Sequence, residues 1–300
     1  MKEFIRKCIK QRYLFLMILP GFLVILIFNY LPIYGILIAF KDYNVAKGVW
    51  GSDWVGLKYF KMFLTNPMAG RLFKNTFLLG LYSLLWGFPA PIILALLLNE
   101  IKNDAFKRTV QTISYIPHFI SVVVIVGMLA EFCAVDGVFN KIRVLLGLEA
   151  LPLLAYPQYF RTLYIASNIW QGVGWGTIIY LAAITKVDPT LYDVAAIDGA
   201  NRWQKVVNIT WPTIKPTTTI LLIFNISGIL GTNYQKILLM YNTRTKSVAD
   251  VIGTYVYELG IQGAQFEYTT AIGLFMSVIS FILLFIANFI SRKVSETSLW

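Results

Sequence analysis

Charge is scarce in this sequence. Asp, Glu, Lys and Arg make up 14% of its 300 residues, while hydrophobic residues make up 57%. Soluble domains carry about 25% charged and roughly 45–50% apolar residues, so one large water-soluble core is excluded. Histidine occurs once, as His118, and cysteine twice, as Cys8 and Cys133. A lone imidazole with no carboxylate or thiol at ligand spacing builds no zinc set. Two cysteines on opposite membrane faces of the topology below build no disulfide framework. No Asp/His/Cys/Glu constellation gathers at one face, which argues against a membrane-embedded transferase. No Lys- or Arg-rich block is interleaved with aromatics either, which argues against a nucleic-acid partner.

What the chain does have is long apolar runs. Six stretches are long enough to cross a bilayer: Leu14 to Phe40, Phe77 to Leu98, Ile113 to Phe132, Thr162 to Thr185, Thr217 to Met240 and Thr269 to Ile290. Each exceeds about 18 residues and is nearly free of charge. The expected fold is therefore all-α, a polytopic membrane protein with six transmembrane helices. Residues 1–71 hold a basic tail, the first helix and an external loop. Residues 72–294 hold a five-helix core with a polar loop at 186–216, and 295–300 form a tail. The net charge of +11 fits the bias of Lys and Arg toward cytoplasmic segments. Lys2, Arg6, Lys7, Lys10 and Arg12 place the N-terminus in the cytoplasm, and an even number of spans brings the C-terminus there too. The first apolar run is longer than a signal peptide's core and lacks a small-residue cleavage site, so it is expected to stay as an uncleaved helix.

Proton- or sodium-coupled carriers place charged groups inside their spans. Here Glu131 and Lys236 fall at the predicted edges, and no pair of repeated halves is evident, so a secondary carrier is disfavoured. In "GSDWVGLK", Gly51 to Lys58, Leu57 stands where a phosphate loop needs lysine after its second glycine. The "GVGWG" run, Gly172 to Gly176, has no strand–turn–helix context. Its glycines 172 and 176 share a helix face suited to close packing.

The exception to the apolar pattern is "YDVAAIDGANRWQKVVNITWP", Tyr192 to Pro212. Asp188 is placed to cap a helix that starts on Pro189, where the missing N–H is harmless. Leu191, Val194 and Ala195 recur on one face, and Gly199 arrives where a left-handed stop is needed. A second helix follows with Trp203, Val206, Val207 and Trp211 on an apolar side, and Pro212 and Pro216 lead into the next span. A short amphipathic helix of this kind docks into grooves on proteins or lies on lipid headgroups. Asp193 and Asp198 disfavour anionic lipid and so favour a protein groove.

This stretch resembles the signature loop of ABC-importer permease subunits: Glu-Ala-Ala, glycine, nine residues, then Ile-x-Leu-Pro. Asp193, Val194 and Ala195 stand at the Glu-Ala-Ala positions, Gly199 at the glycine, with Ile209 and Pro212 closing the motif. "DGA", Asp198 to Ala200, strengthens the match. Asp for Glu, Val for Ala, and Trp211 for Leu are the departures. "PIYGILIAFKDYN", "WVGLKYF", "SYIPHFIS" and "EYTTAIGLF" are similar to segments of the maltose-permease-like carbohydrate family, LplB-like polysaccharide and oligosaccharide subgroup. The resemblance implies a transport subunit rather than an enzyme, in a bacterial cytoplasmic membrane. Leu191, Asp193, Val194, Ala195, Asp198, Gly199, Ala200, Ile209 and Pro212 would couple it to an ATPase. It also implies a second related permease in a heterodimer, two cytosolic ATPase subunits that carry ATP and Mg, and an external solute-binding protein. This chain itself would bind no cofactor, and its non-protein surroundings would be membrane lipid and a carbohydrate. A permease for a peptide or other small solute shares the same fold.

Sugars are held by aromatic faces with amides and hydroxyls at their edges. Asn168, Trp170, Gln171 and Trp175 in the fourth span offer such groups, as do Asn225, Asn233, Tyr234 and Gln235 in the fifth. The same residues serve equally as hydrogen-bonding glue between helices, and the sequence leaves both readings open.

Overall fold

The computed structural model describes residues 11–295 and 298–299. The expectations for the basic tail (Lys2, Arg6, Lys7, Lys10), for Cys8 and for positions 296–297 and 300 lie outside the described residues. The regular structure is almost wholly helical, and its contacts divide the chain into two units.

The first unit comprises residues 11–66 with Leu259–Phe275. Helix α1 (Arg12–Ile25) continues through a wide turn, Leu26–Tyr30, and a tight helix, Leu31–Phe40. Its side chains are apolar and uncovered, Met17, Phe22 and Phe28 among them. A lipid-facing helix needs that character. Two short strands follow, β1 (Lys41–Asp42) and β2 (Asp53–Trp54), paired antiparallel, then α2 (Lys58–Leu64). Phe40 stacks on Trp54 with centroids 5.6 Å apart. The Tyr59 hydroxyl donates to Asp42 Oδ1 at 2.6 Å, and Lys58 Nζ lies 3.6 Å from the other oxygen. The Tyr59 hydrogen bond first, and the Lys58 charge second, hold the Asp42 carboxyl below its ordinary range.

The second unit comprises Pro67–Glu258 with the chain from Met276 onward. Its helices are α3 (Ala69–Tyr82), α4 (Pro89–Glu100), α5 (Asp104–Tyr115), α6 (Val122–Cys133), α7 (Val138–Leu145), α8 (Pro157–Ile184), α9 (Pro189–Ile197), α10 (Trp211–Ser227), α11 (Tyr234–Met240) and α12 (Ile252–Tyr257). The last helix, α13 (Phe266–Ser295), starts in the first unit and ends in this one. Helix α8 is the strut of the unit, packing against α3, α4, α5 and α10. One apolar cluster gathers Leu79, Val126, Phe160, Tyr164, Ile237 and Met240, and another gathers Ile92, Ala95, Tyr180, Ile184 and Ile214.

Four segments among the described residues are long and apolar enough to cross a membrane: Arg12–Phe40, Ala69–Glu100, Val122–Leu145 and Phe266–Lys293. Helix α8 has the length for a fifth, 28 residues or about 42 Å at 1.5 Å per residue, but carries Ser167, Asn168 and Gln171 along it. The fifth expected stretch is interrupted.

Two of the expected spans are broken rather than continuous. The stretch Ile113 to Phe132 stops at Tyr115, passes a tight turn at Ile116–Phe119, and restarts at Val122. Pro117 has no N–H to continue the ladder, and the Ser121 hydroxyl caps the new helix at Val124 N. The stretch Thr217 to Met240 stops at Ser227 and restarts at Tyr234, where Asn233 Oδ1 accepts from Lys236 N at 3.1 Å. Elsewhere proline is absorbed. Wide turns at Leu26–Tyr30, Ser83–Gly87 and Val206–Thr210 each end two residues before a proline: Pro32, Pro89 and Pro212. A wide turn moves the carbonyl that the proline ring would strike. Helix α10 therefore starts before the expected Thr217 and keeps Pro216 inside it.

The glycine run packs differently from the expectation. Gly172 faces open space, while a side chain at Gly174 would strike the Ser114 backbone and one at Gly176 would meet Pro91 Cγ at 2.9 Å. The close contacts are thus two separate ones, at 174 against α5 and at 176 against α4. Gly174→Val should cost about 1–3 kcal/mol through overpacking and lower the Tm of the detergent-purified chain. Gly172→Ala should leave it unchanged or raise it slightly. Equal melting of the two variants would contradict this packing.

Candidate functional site

The polar stretch folds by local rules. Asp188 Oδ1 accepts from Thr190 N at 3.0 Å, which holds its carboxyl below the ordinary range and starts α9 on Pro189. At the other end Gly199 takes φ +75°, and Ala200 N returns to the Ala195 carbonyl at 2.8 Å. Asn201 and Gln204 then cap each other's backbone N–H groups to open the next helix. The Tyr192 and Thr210 hydroxyls meet at 2.8 Å and tie the two arms together. The corner between the helices is therefore fixed at both ends. Its outer face carries Leu191, Val194 and Ile197, the last 86% exposed, beside exposed Asp193 and Asp198. Ala195, Ala200 and Ile209 are half-buried, and Pro212 is exposed. Trp203, Val206, Val207 and Trp211 line an apolar groove of about 840 Å³ with residues from α4, α10 and α13.

A second feature is polar. A cavity of about 460 Å³ lies where both helix breaks meet α8. Tyr164, Asn168, Gln171 and Gly172 face it from α8, with Ser83, His118, Asn225 and the Gly231–Asn233 turn around them. Tyr164, Asn168 and Gln171 share one helix face, being spaced by four and three. Their side chains serve the broken backbone. Gln171 Nε2 donates to the Ile120 carbonyl at 3.2 Å in the first break. The Tyr164 hydroxyl accepts from Asn233 N at 3.2 Å in the second. Gly80 lets that second break close in, since a side chain there would strike the Ile229 carbonyl. His118 stacks on Trp175 with ring centroids 4.5 Å apart.

Of the residues expected to face a substrate, Asn168, Gln171, Asn225 and Asn233 line this cavity, and Trp175 supports it through His118. Trp170 lies off that face and is 45% exposed. Tyr234 packs on Tyr257 at 5.7 Å, and Gln235 is exposed away from the cavity. Lys236 corrects the expectation of an edge position. It is 0% exposed, and its Nζ donates to Asn168 Oδ1 at 2.8 Å and Gln171 Oε1 at 3.4 Å. Tyr164 was not expected at the cavity, although its spacing from Asn168 and Gln171 puts it on their face.

The family of binding-protein-dependent transport system inner membrane components matches residues 87–296. Protein LplB of Bacillus subtilis (strain 168) is 44% identical over 292 residues, covering 97% of this chain and 92% of its own length. The polygalacturonan/rhamnogalacturonan transport system permease protein YteP of the same organism is 44% identical over 300 residues, covering 100% and 94%. A chain in the crystal structure of a bacterial ABC transporter involved in import of the acidic polysaccharide alginate superposes with a TM-score of 0.88. It is 39% identical, with 98% of this chain and 99% of that chain covered. The same holds for the alginate transporter in complex with alginate pentasaccharide-bound periplasmic protein. The chain belongs to the family of binding-protein-dependent transport system inner membrane components, and it is the membrane permease subunit of an ABC importer for sugars or polysaccharides.

Proposed function

We propose that this permease forms half of a heterodimeric pathway with a second, related permease, driven by two cytosolic ATPase subunits. ATP and Mg reside on those subunits, and an external binding protein delivers the sugar. In this reading α9 is the coupling helix, both termini and the 186–216 segment are cytoplasmic, and the chain crosses the membrane six times. The polar cavity forms part of the substrate path.

One observation carries the coupling assignment. Leu191, Val194 and Ile197 stand uncovered on a helix whose ends are both fixed. An apolar face on a rigid, about 13 Å helix fits a groove, and a pre-ordered element loses little entropy on docking. Asp193 beside that face supplies the charge that sets the register of docking. Force applied to α9 passes through the Gly199 corner and the Tyr192–Thr210 contact into α10. Helix α10 leads directly to Asn225 at the cavity. A short lever thus links the docking face to the path.

Gly199→Val puts a β-branched side chain at a left-handed φ, a strained conformation worth about 1–3 kcal/mol. We expect normal membrane insertion, with loss of ATPase co-purification or of sugar-stimulated hydrolysis by at least about tenfold. Ile197→Asp tests the apolar face itself, since a carboxylate pressed into a groove is penalised by several kcal/mol. Its expected outcome is a chain that folds and inserts but no longer retains the ATPase subunits in a mild-detergent pull-down. Asp193→Lys should keep the fold and weaken the same association. Unchanged ATPase recovery and uptake in all three variants would contradict the coupling assignment.

A further inference from the structure

We infer that the apolar groove beyond the Gly199 corner is a site for one anionic phospholipid, its acyl chains in the groove and its phosphate on Lys215. The inference goes beyond the proposed function and does not depend on what α9 docks into.

The groove holds about 840 Å³ and lies wholly within the second unit. Its lining contains no acidic side chain, and Lys215 is the one charged residue in it. Lys215 is exposed, and among the described residues no carboxylate pairs with it. It stands one turn after Trp211 and one turn before Thr219, on the stripe of α10 that faces the groove. Arg202, also exposed, stands four positions before Val206 on the arm that forms another wall. Trp203 and Trp211 line the same end and are 73% and 39% exposed. Indole rings favour the headgroup level of a bilayer, so one end of the groove has the chemistry of that level.

The other end has the chemistry of the hydrocarbon core. The Thr218 hydroxyl is spent on the Ile214 carbonyl at 2.9 Å. Deeper on α10 the lining is Leu222, Ile223 and Ile226, facing Phe88 and Ile92 of α4. From Lys215 to Ile226 the helix rises about 16 Å, close to half of the roughly 30 Å hydrocarbon thickness. The groove therefore matches one leaflet in length, with its cation at the headgroup end.

Charge decides between occupants. An apolar helix of another protein would fill the groove but leave the ammonium at its mouth without an anion, which is unfavourable beside hydrocarbon. A zwitterionic lipid cancels its own phosphate with its own ammonium. An anionic lipid supplies the tail and an uncompensated phosphate together. Such a lipid would touch Trp203, Val206 and Val207 as well as α4 and α13, bracing the arm that leaves the corner.

The test uses the purified importer in phosphatidylcholine nanodiscs with a trace of phosphatidylglycerol carrying a diazirine at one chain end. After photolysis the labelled residues are mapped by mass spectrometry. Label should concentrate on 222–226 over the exposed Ile282. Unlabelled phosphatidylglycerol should compete at least about fivefold better than phosphatidylcholine with the same chains, as one lysine near an anionic headgroup warrants. Lys215→Gln should erase that preference and Lys215→Arg should keep it; the side chain is exposed, so both variants should fold. Leu222→Trp fills the groove and should cut labelling of 223–226 at least about fivefold while leaving Ile282 unchanged. If Leu222→Trp does not assemble, Lys215→Gln decides. Equal competition by the two lipids, or a preference that survives Lys215→Gln, would overturn the inference. So would labelling of Ile282 as strong as that of the groove, or a cross-link showing a second permease helix seated there.

Discussion

Inside a bilayer no water is available to bond a free N–H or C=O, so a helix is interrupted only where other protein groups take over its backbone partners. This constraint organises the second unit. Two helices are interrupted, at 116–121 and 228–233, and one neighbouring helix serves both gaps. Gln171 reaches the Ile120 carbonyl, and Tyr164 receives the Asn233 N–H. Lys236, just beyond the second gap, returns the link by bonding Asn168 and Gln171. A single face of α8 therefore holds both breaks open and apart. The polar cavity is the space that remains between them.

The same logic explains how a proline-dotted chain stays helical. At Pro32, Pro89 and Pro212 a wide turn precedes the ring and the helix survives. At Pro117 a tight turn ends it, and a serine cap starts the next helix. The breaks thus fall at particular places, and those places border the cavity. Through α10 one break is also connected to the fixed corner at Gly199, so one wall of the polar cavity and the exposed α9 belong to one continuous piece of backbone.

What could be read from the sequence follows from how local each determinant is. The helix–glycine–helix loop was legible because Asp188, Pro189, Gly199 and Asn201 act within a few residues of themselves. The all-helical membrane class was legible because hydropathy averages over whole spans. That averaging also hid the breaks, since 116–121 and 228–233 are apolar enough to vanish inside a window. Lys236 looked like an edge residue because its burial is set by Asn168, 68 positions away. The aromatic–amide pattern singled out the helix that borders the polar cavity but mixed its faces. Asn168 and Gln171 turn inward while Trp170, between them, turns out, a distinction that helical spacing makes once the facing partner is known. Gly172 and Gly176 shared a face, yet only the position of Pro91 decides which of them is tight.

The central claim is that α8 and the two helix breaks enclose a hydrated path through the permease. Cysteine accessibility tests it most directly, in the assembled importer with Cys8→Ser and Cys133→Ala as background. Single cysteines at Asn225 and Asn233 should react with a membrane-impermeant thiol reagent, and bound sugar should slow the reaction. A cysteine at the apolar, exposed Ile282 should stay unmodified. Failure of both cavity positions to react, or labelling of all three at equal rates, would contradict the account.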